Sequence, residues 1–308
     1  MAAPTTLKLT NRSPKQPVKK LPASLELAAD ATVEDVKKLI AKEVRIGDFN
    51  RVGLYDPSTN KTLKNRKALI ADEEGVASAG EVLVKDLGTQ ISWRTVFVIE
   101  YLGPILIHTA VVAARPYLYK NAEGAMSQTQ WLSYGMIVLH FVKREFETLF
   151  VHKFSANTMP FFNVFKNSFF YWAISGALCA FTIYSPKSLA AKADIPIIDA
   201  LGTALYLFGE TGNALIHRYL SSLRSTGGTE RKIPVGYGFN LVTCPNYMFE
   251  ILSWVGIILA SRDWAVVLFI AIGAAQMFDW AKGKERAYRK EFGDSYKKKR
   301  YRILPGLL

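Results

Sequence analysis

The stretch WRTVFVIEYLGPILIHTAVVAA, residues 93–114, decides the fold class. A bilayer core is crossed by about 20 apolar residues in a helix. This stretch supplies that length with one carboxylate, Glu100, near its middle. Five further apolar stretches follow, at 131–151, 167–184, 195–216, 241–260 and 264–281. The second and fourth carry the most polar residues. The last two are separated only by Ser261, Arg262 and Asp263, which reads as a tight helical hairpin. Residues 1–88 are mixed and polar by contrast. The expected architecture is a multi-span α-helical membrane protein of about six transmembrane helices over residues 89–308, behind a small soluble domain.

Charge orients the spans. The formal net charge is +13, and its basic residues sit beside the hydrophobic stretches, where positive charge sets topology rather than nucleic-acid binding. Ten Lys and Arg lie between Lys282 and Arg302. The loop after the fourth span adds Arg218, Arg224, Arg231 and Lys232. The opposite loops hold only Arg115, Lys120, Lys187, Lys192 and Arg262. Both termini are therefore predicted cytosolic. Cys179 and Cys244 fall in or beside apolar stretches with no metal-ligand spacing, so neither a disulfide framework nor a metal site is implied. The N-terminus has no apolar core of a signal peptide. The sequons at Asn11 and Asn60 are expected to be unused in the cytosol.

The front domain alternates like strands at 6–12 and 21–27, then turns helical at Thr32. Thr32 is a plausible cap with Asp35 three residues on, and Val33, Val36, Leu39 and Ile40 form an apolar stripe. Short strands follow near Val52 and Glu81. This order is that of a β-grasp, and ATVEDVKKLIAKE is similar to a ubiquitin-like domain. No C-terminal Gly-Gly is present, so an interaction role is expected rather than conjugation.

Ionisable residues inside spans are costly and mark function by default. Glu100 precedes a Gly-Pro break by one turn. In the second span His140, Arg144 and Glu147 share a face, with Lys143 beside it. In the fourth, Asn213, His217 and Arg224 lie within about 40° of each other at 100° per residue. In the fifth, Asn246 and Glu250 are one turn apart, next to Tyr247, with Pro245 in the first helical turn. Internal pairing or snorkelling explains one or two of these groups. Aligned polar stripes on several spans point to a cavity lined for an anionic ligand with an apolar extension.

The segments KREFETLFVHKFS, GNALIHRYLSSLR, CPNYMFEILSW and KGKERAYRKEFGDSYKKKRYRILPGLL resemble the steroid 5α-reductase family over roughly residues 132–308. The front domain narrows the resemblance to the family's trans-2-enoyl-CoA reductases of very-long-chain fatty acid elongation. The resemblance implies NADPH-dependent reduction of a carbonyl-conjugated double bond, with hydride to Cβ and a proton to Cα. It also implies an endoplasmic reticulum membrane location, a long-chain enoyl-CoA substrate, membrane lipid around the bundle and elongase partners. NADPH would sit in the bundle, in keeping with the lack of any strand–GxGxxG–helix unit. By resemblance, Asn213, His217, Arg224, Asn246, Glu250, Arg144 and Tyr288 belong to the cofactor site, although His217 stands where steroid reductases have an acid. Lys143, Glu147 and His140 are assigned to the substrate side. Phe141 replaces a tyrosine that contacts the ketone in steroid reductases, so another group must polarise the thioester carbonyl. Tyr247 is the expected proton donor or enolate stabiliser, with Glu100 as its catalytic partner.

Three other readings stay open on sequence. A membrane methyltransferase using S-adenosylmethionine shares a paired-helix and basic-tail ending, but this chain has Cys-Pro-Asn-Tyr and Glu285-Arg286 in place of the usual motifs. A sterol or steroid reductase is weighed against by the front domain and Phe141. A non-catalytic adaptor leaves the intramembrane polar residues without a purpose.

Overall fold

The structure is a computed structural model that describes residues 5–306, apart from 121, 123, 155–156, 193–194, 226–231, 298 and 300. The chain divides into two compact units, one of residues 1–93 with 154–163 and the other of 94–153 with 164–308.

In the first unit, β1 (Thr5–Asn11) pairs antiparallel with β2 (Ser24–Leu27), and α1 (Val33–Glu43) follows. Thr32 and Asp35 form a reciprocal capping box that satisfies two N-terminal amides. The strands β3 (Val52–Tyr55) and β4 (Glu81–Asp86) flank the short α2 (Glu74–Ala79). The sheet order is β2-β1-β4-β3, with the central β1–β4 pair parallel and the outer pairs antiparallel. Val33, Val36 and Ile40 are fully buried within this unit's core, alongside Leu54 and Val82. Leu39, expected in the same stripe, is instead 38% exposed, and Lys37 is buried. A sheet contacts a narrower arc of the helix than the apolar positions span, so the flank carrying Leu39 faces out. The strand β5 (Gln90–Ser92) pairs antiparallel with β6 (Thr158–Pro160), which brings residues 154–163 into this unit.

The second unit is helical. Its first long helix, α3, runs Trp93–Ala113 and keeps Pro104 in its interior. The turn α4 (Arg115–Leu118) leads to α5 (Gln128–Phe146), which opens into a π-helical turn at Glu147–Val151. The third apolar stretch is a composite: α6 (Asn163–Phe169), a π segment Phe170–Leu178, then α7 (Cys179–Ile183). After α8 (Leu189–Lys192) come three long helices, α9 (Pro196–Ser222), α10 (Pro245–Ser261) and α11 (Trp264–Phe292).

Several boundaries differ from the sequence reading: α5 starts at Gln128 rather than 131, α6 at Asn163 rather than 167, and α9 runs to Ser222 rather than 216. The fifth helix starts at Pro245 rather than at 241, because residues 242–244 pair with the chain end. Val242 bridges Tyr301, and the Cys244 N–H donates to the Arg302 carbonyl at 3.0 Å. The basic tail after 281 is not separate, since α11 continues unbroken to Phe292.

The helices α9 and α10 cross at glycines. A Cβ on Gly209 would lie 2.4 Å from the Ser253 nitrogen, and one on Gly256 would lie 2.5 Å from the Gly202 carbonyl oxygen. Small residues let the backbones touch where side chains would hold them apart. The α10–α11 hairpin turns at Arg262, in the left-handed region at φ 52°. Asp263 caps α11, Thr182 donates to Asp263 at 2.8 Å, and Arg262 pairs with Asp199.

Among the described residues, two helices are long and apolar enough to cross a membrane, Trp93–Ala113 and Trp264–Ser295. α10, with Glu250 as its one charged residue, is 17 residues long, and α5 and α9 carry more polar groups along their length. The outer surface of this unit is rich in large apolar side chains, including Leu139, Phe150, Phe169, Leu201, Phe208 and Val267.

Candidate active site

The ionisable residues of α5 point at those of α9 and α10. His140 Nδ1 lies 2.6 Å from Glu210 Oε1, and Nε2 lies 3.3 Å from Glu250 Oε1. Both ring nitrogens thus face carboxylates, which only an imidazolium satisfies in full. Lys143 Nζ lies 2.9 Å from Glu210 Oε2 and 3.4 Å from Glu147 Oε1, and donates to Asn213 Oδ1 at 2.6 Å. Arg144 Nη1 reaches Glu147 Oε2 at 2.7 Å, while Nη2 donates to the Tyr101 hydroxyl at 2.9 Å. His217 Nδ1 meets the same Glu147 oxygen at 2.9 Å. The 3.1 Å approach of Arg144 to His217 follows from that shared acceptor.

Charges balance in this cluster. Glu147, Glu210 and Glu250 oppose Lys143, Arg144 and a protonated His140, and His217 donates from Nδ1 while neutral. A buried ionic group survives only if paired in this way. The Asn213 amide ties the helices together, donating to the Asn246 carbonyl at 2.9 Å and to Glu250 Oε2 at 3.0 Å. Trp254 Nε1 donates to Glu250 Oε1 at 3.3 Å.

The π-helical turn after α5 has a local effect. It adds a residue to the helical circuit, so Glu147 can serve Arg144 while its carbonyl accepts from the His152 N–H at 2.8 Å. The His152 ring packs edge-on against His217, with centroids 4.9 Å apart. Ligand-capable atoms of Glu147, His152 and His217 lie within 4.8 Å of one another. Arg144 and Lys143 already occupy the Glu147 carboxylate, however, and a dication there would face both.

Of the residues singled out from sequence, His140, Lys143, Arg144, Glu147, Asn213, His217, Asn246 and Glu250 converge. Tyr247 sits in the first turn of α10 with its ring against Trp280, in electrostatic reach of Arg144, Tyr101 and Glu250. Glu100 is buried in α3 with Asn167 beside it, and its Oε1 has no hydrogen-bond partner. Asn246 Oδ1 is likewise buried without a partner.

Arg224 and Tyr288 do not join the cluster. The polar stripe of α9 stops at His217, because the helix ends at Ser222 and Arg224 turns away to donate to the Lys153 carbonyl at 2.8 Å. Tyr288 packs on Tyr296 at 5.2 Å, beside a buried knot in which Thr243 and Tyr296 both donate to Glu285 Oε2, at 2.5 and 2.7 Å. Next to this knot is a cavity of about 530 Å³ lined by Arg286, Arg289, Lys290, Gly293, Asp294 and Tyr296.

Sequence reasoning missed Glu210, Tyr101 and His152. Glu210 was legible, since it lies three residues before Asn213 and seven before His217, on the same helical face. Tyr101 carried no signal, because a tyrosine in an apolar helix is ordinarily packing. His152 was hidden by the π turn, which shifts it off the α-helical period.

Residues 157–308 match the 3-oxo-5-alpha-steroid 4-dehydrogenase family. Over nearly its whole length the chain is similar to the very-long-chain enoyl-CoA reductase of Dictyostelium discoideum, 40% identical across 94% of this chain and 96% of that protein. A Caenorhabditis elegans protein whose name carries the same activity is 33% identical over 92% and 93% of the two chains. A mouse trans-2,3-enoyl-CoA reductase-like protein is 30% identical over 90% of this chain and 78% of its own.

Proposed function

Because the chain belongs to the very-long-chain enoyl-CoA reductases of the 3-oxo-5-alpha-steroid 4-dehydrogenase family, we propose that it reduces the trans-2 double bond of long-chain enoyl-CoA with NADPH. This is the last step of a round of fatty acid elongation. The observation that carries the reading is the buried, charge-balanced cluster joining α5, α9 and α10, flanked by two buried acceptors that lack donors. Asn246 Oδ1 and Glu100 Oε1 suit a carboxamide NH₂, the one donor group of a nicotinamide, since buried polar atoms seek partners.

NADPH, when bound, supplies the hydride. Asn246, Glu250 and Asn213 hold the nicotinamide end. Lys143, Arg144 and His217 offer positive charge and N–H donors to phosphate, and the basic cavity near Tyr288 suits the outer phosphates of the nucleotides. His140 and Glu147 keep the two cations in place. Tyr247 supplies a phenol to the enolate that forms as hydride reaches Cβ. The acyl chain lies among the apolar helices.

We read the second unit as six membrane crossings in the endoplasmic reticulum with both termini cytosolic. Its apolar outer surface and the basic residues of the α11 end support that reading. The first unit is read as a ubiquitin-like β-grasp domain, whose strand order and crossing helix support it. It docks partners of the elongation machinery and carries no chemistry.

The test is NADPH consumption with a trans-2-enoyl-CoA of about 16 carbons or more, a chain long enough to reach into a bilayer leaflet. Wild type consumes NADPH, and Tyr247→Phe, still folded and binding NADPH, does so at least about 10²-fold more slowly. Full turnover by Tyr247→Phe refutes the role given to that residue. Thermal protection by S-adenosylmethionine instead of NADPH refutes the reductase.

A further inference from the structure

The proposed reaction needs hydrogen-bonding help at two different substrate atoms. Negative charge develops on the thioester oxygen, and a proton must be delivered to Cα. A single phenol carries one proton, so Tyr247 alone does not serve both.

Tyr101 has the geometry for the other task. It lies in α3, 3% exposed. Arg144 Nη2 donates to its oxygen at 2.9 Å, and the guanidinium carbon lies 5.1 Å from the ring centroid. The phenol oxygen therefore accepts from a cation, and its own hydrogen is directed elsewhere. Among the described hydrogen bonds, none uses that hydrogen. The ring is fixed by Phe97, stacked at 5.7 Å, by Tyr171, edge-on at 5.3 Å, and by Phe141 at 6.1 Å. Arg144 is itself anchored on Glu147. A hydrogen bond received from a cation strengthens the one a hydroxyl can give. Arg144 and Glu250 act electrostatically on both Tyr101 and Tyr247, and the two phenols act on each other.

We propose that Tyr101 is a second catalytic phenol, which donates a hydrogen bond to the thioester carbonyl oxygen of the bound enoyl-CoA. The assignment rests on the enoyl-CoA reductase reading. In the step, the hydride given up by the reduced cofactor, whose C–H bond breaks with loss of two electrons, forms the new C–H bond at Cβ and reduces the enoyl group. The π pair moves to join Cα to the carbonyl carbon, leaving the charge on oxygen. Tyr101 holds that oxygen and keeps its proton. Tyr247 then gives its proton to Cα, the enolate collapses to the saturated thioester, and water reprotonates Tyr247. Arg144 acts through Tyr101 and is a positioning residue for this step.

The experiment compares full-length wild type, Tyr101→Phe and Tyr247→Phe in detergent, with NADPH deuterated at the transferred position and with D₂O as solvent. Tyr101→Phe should lower kcat by about 10²–10³-fold, the usual effect of removing one oxyanion donor. Its isotope effect from labelled NADPH should rise and its solvent isotope effect should not. Tyr247→Phe should show the reverse pattern. A second readout needs no turnover: the infrared carbonyl stretch of a bound saturated acyl-CoA labelled with ¹³C at C1. It should fall on binding wild type and return to the free value in Tyr101→Phe. Tyr101→Met takes its place if the phenylalanine variant fails to fold. An active wild type together with a Tyr101 variant that keeps turnover within about threefold, or leaves the carbonyl stretch shifted, overturns the assignment alone. A wild type that oxidises no NADPH with any enoyl-CoA overturns the reductase reading and this assignment with it.

Discussion

Glu147 is an anion shared by three basic side chains, and its replacement by methionine gives a calculable penalty. Arg144 lies 2.7 Å away, His217 2.9 Å and Lys143 3.4 Å. At an effective dielectric of 20, a unit pair at the Arg144 distance carries roughly 6 kcal/mol of gross attraction. Most of that offsets desolvation of the two ions, and removal of one partner of a buried pair typically costs about 3–5 kcal/mol. Lys143 keeps Glu210 as a partner, so the upper half of that range is not expected. For a unit of this size about 3 kcal/mol corresponds to a fall in melting temperature on the order of 6–12 °C. Scanning fluorimetry of the full-length protein in detergent measures it. The double variant Glu147→Met, Arg144→Met should recover part of the loss, because two apolar side chains leave no uncompensated charge between them. A single variant that melts within about 2 °C of wild type, or a double variant less stable than the sum of the singles, refutes the claim that Glu147 neutralises the cluster.

The α9–α10 crossing should resist any side chain. Gly209→Leu or Gly256→Val should abolish the folded peak in size-exclusion chromatography, since backbone atoms within 2.6 Å of the added Cβ have nowhere to move. Gly283→Ala, where nothing lies within 4 Å, should be neutral or gain up to about 1 kcal/mol. In the first unit, burial and then the Arg66 charge hold the Lys37 ammonium down at about 8. The unfolded chain keeps that proton to about 10.4, so between these values it binds more protons than the folded one and stability rises with pH. Below pH 8 the penalty is fully present. Hydrogen exchange of α1 in the full-length protein, corrected for intrinsic rates, should show protection growing from pH 8 to 10, and Lys37→Met should remove that growth. Thr243→Val should loosen the chain end by leaving Glu285 with Tyr296 as its remaining donor, read as faster proteolysis after residue 296.

Much of this protein is legible in its sequence. The apolar stretch at 93–114 emerges as α3 almost residue for residue, because a helix satisfies the backbone groups of an apolar run within the run itself. The capping box at Thr32 and the α5 stripe of His140, Arg144 and Glu147 follow from local rules that need no partner. A helical period fixes which side chains share a face whatever stands opposite.

What stands opposite was decided by tertiary structure. Only packing shows that His140 meets Glu210 and Glu250 from two different helices, or that Arg144 reaches across to Tyr101. Ion pairs between residues 70 apart in sequence leave no periodic trace. Arg224 shows the converse limit: its angular alignment with Asn213 and His217 held only as long as the helix did, and the helix ends at Ser222. The π turn at Glu147–Val151 shifted His152 onto His217, since one residue more per turn breaks the rule by which the sequence was read. Local hydrogen bonding is written in the chain's own spacing, whereas the site exists because helices approach closely enough for distant charges to neutralise one another.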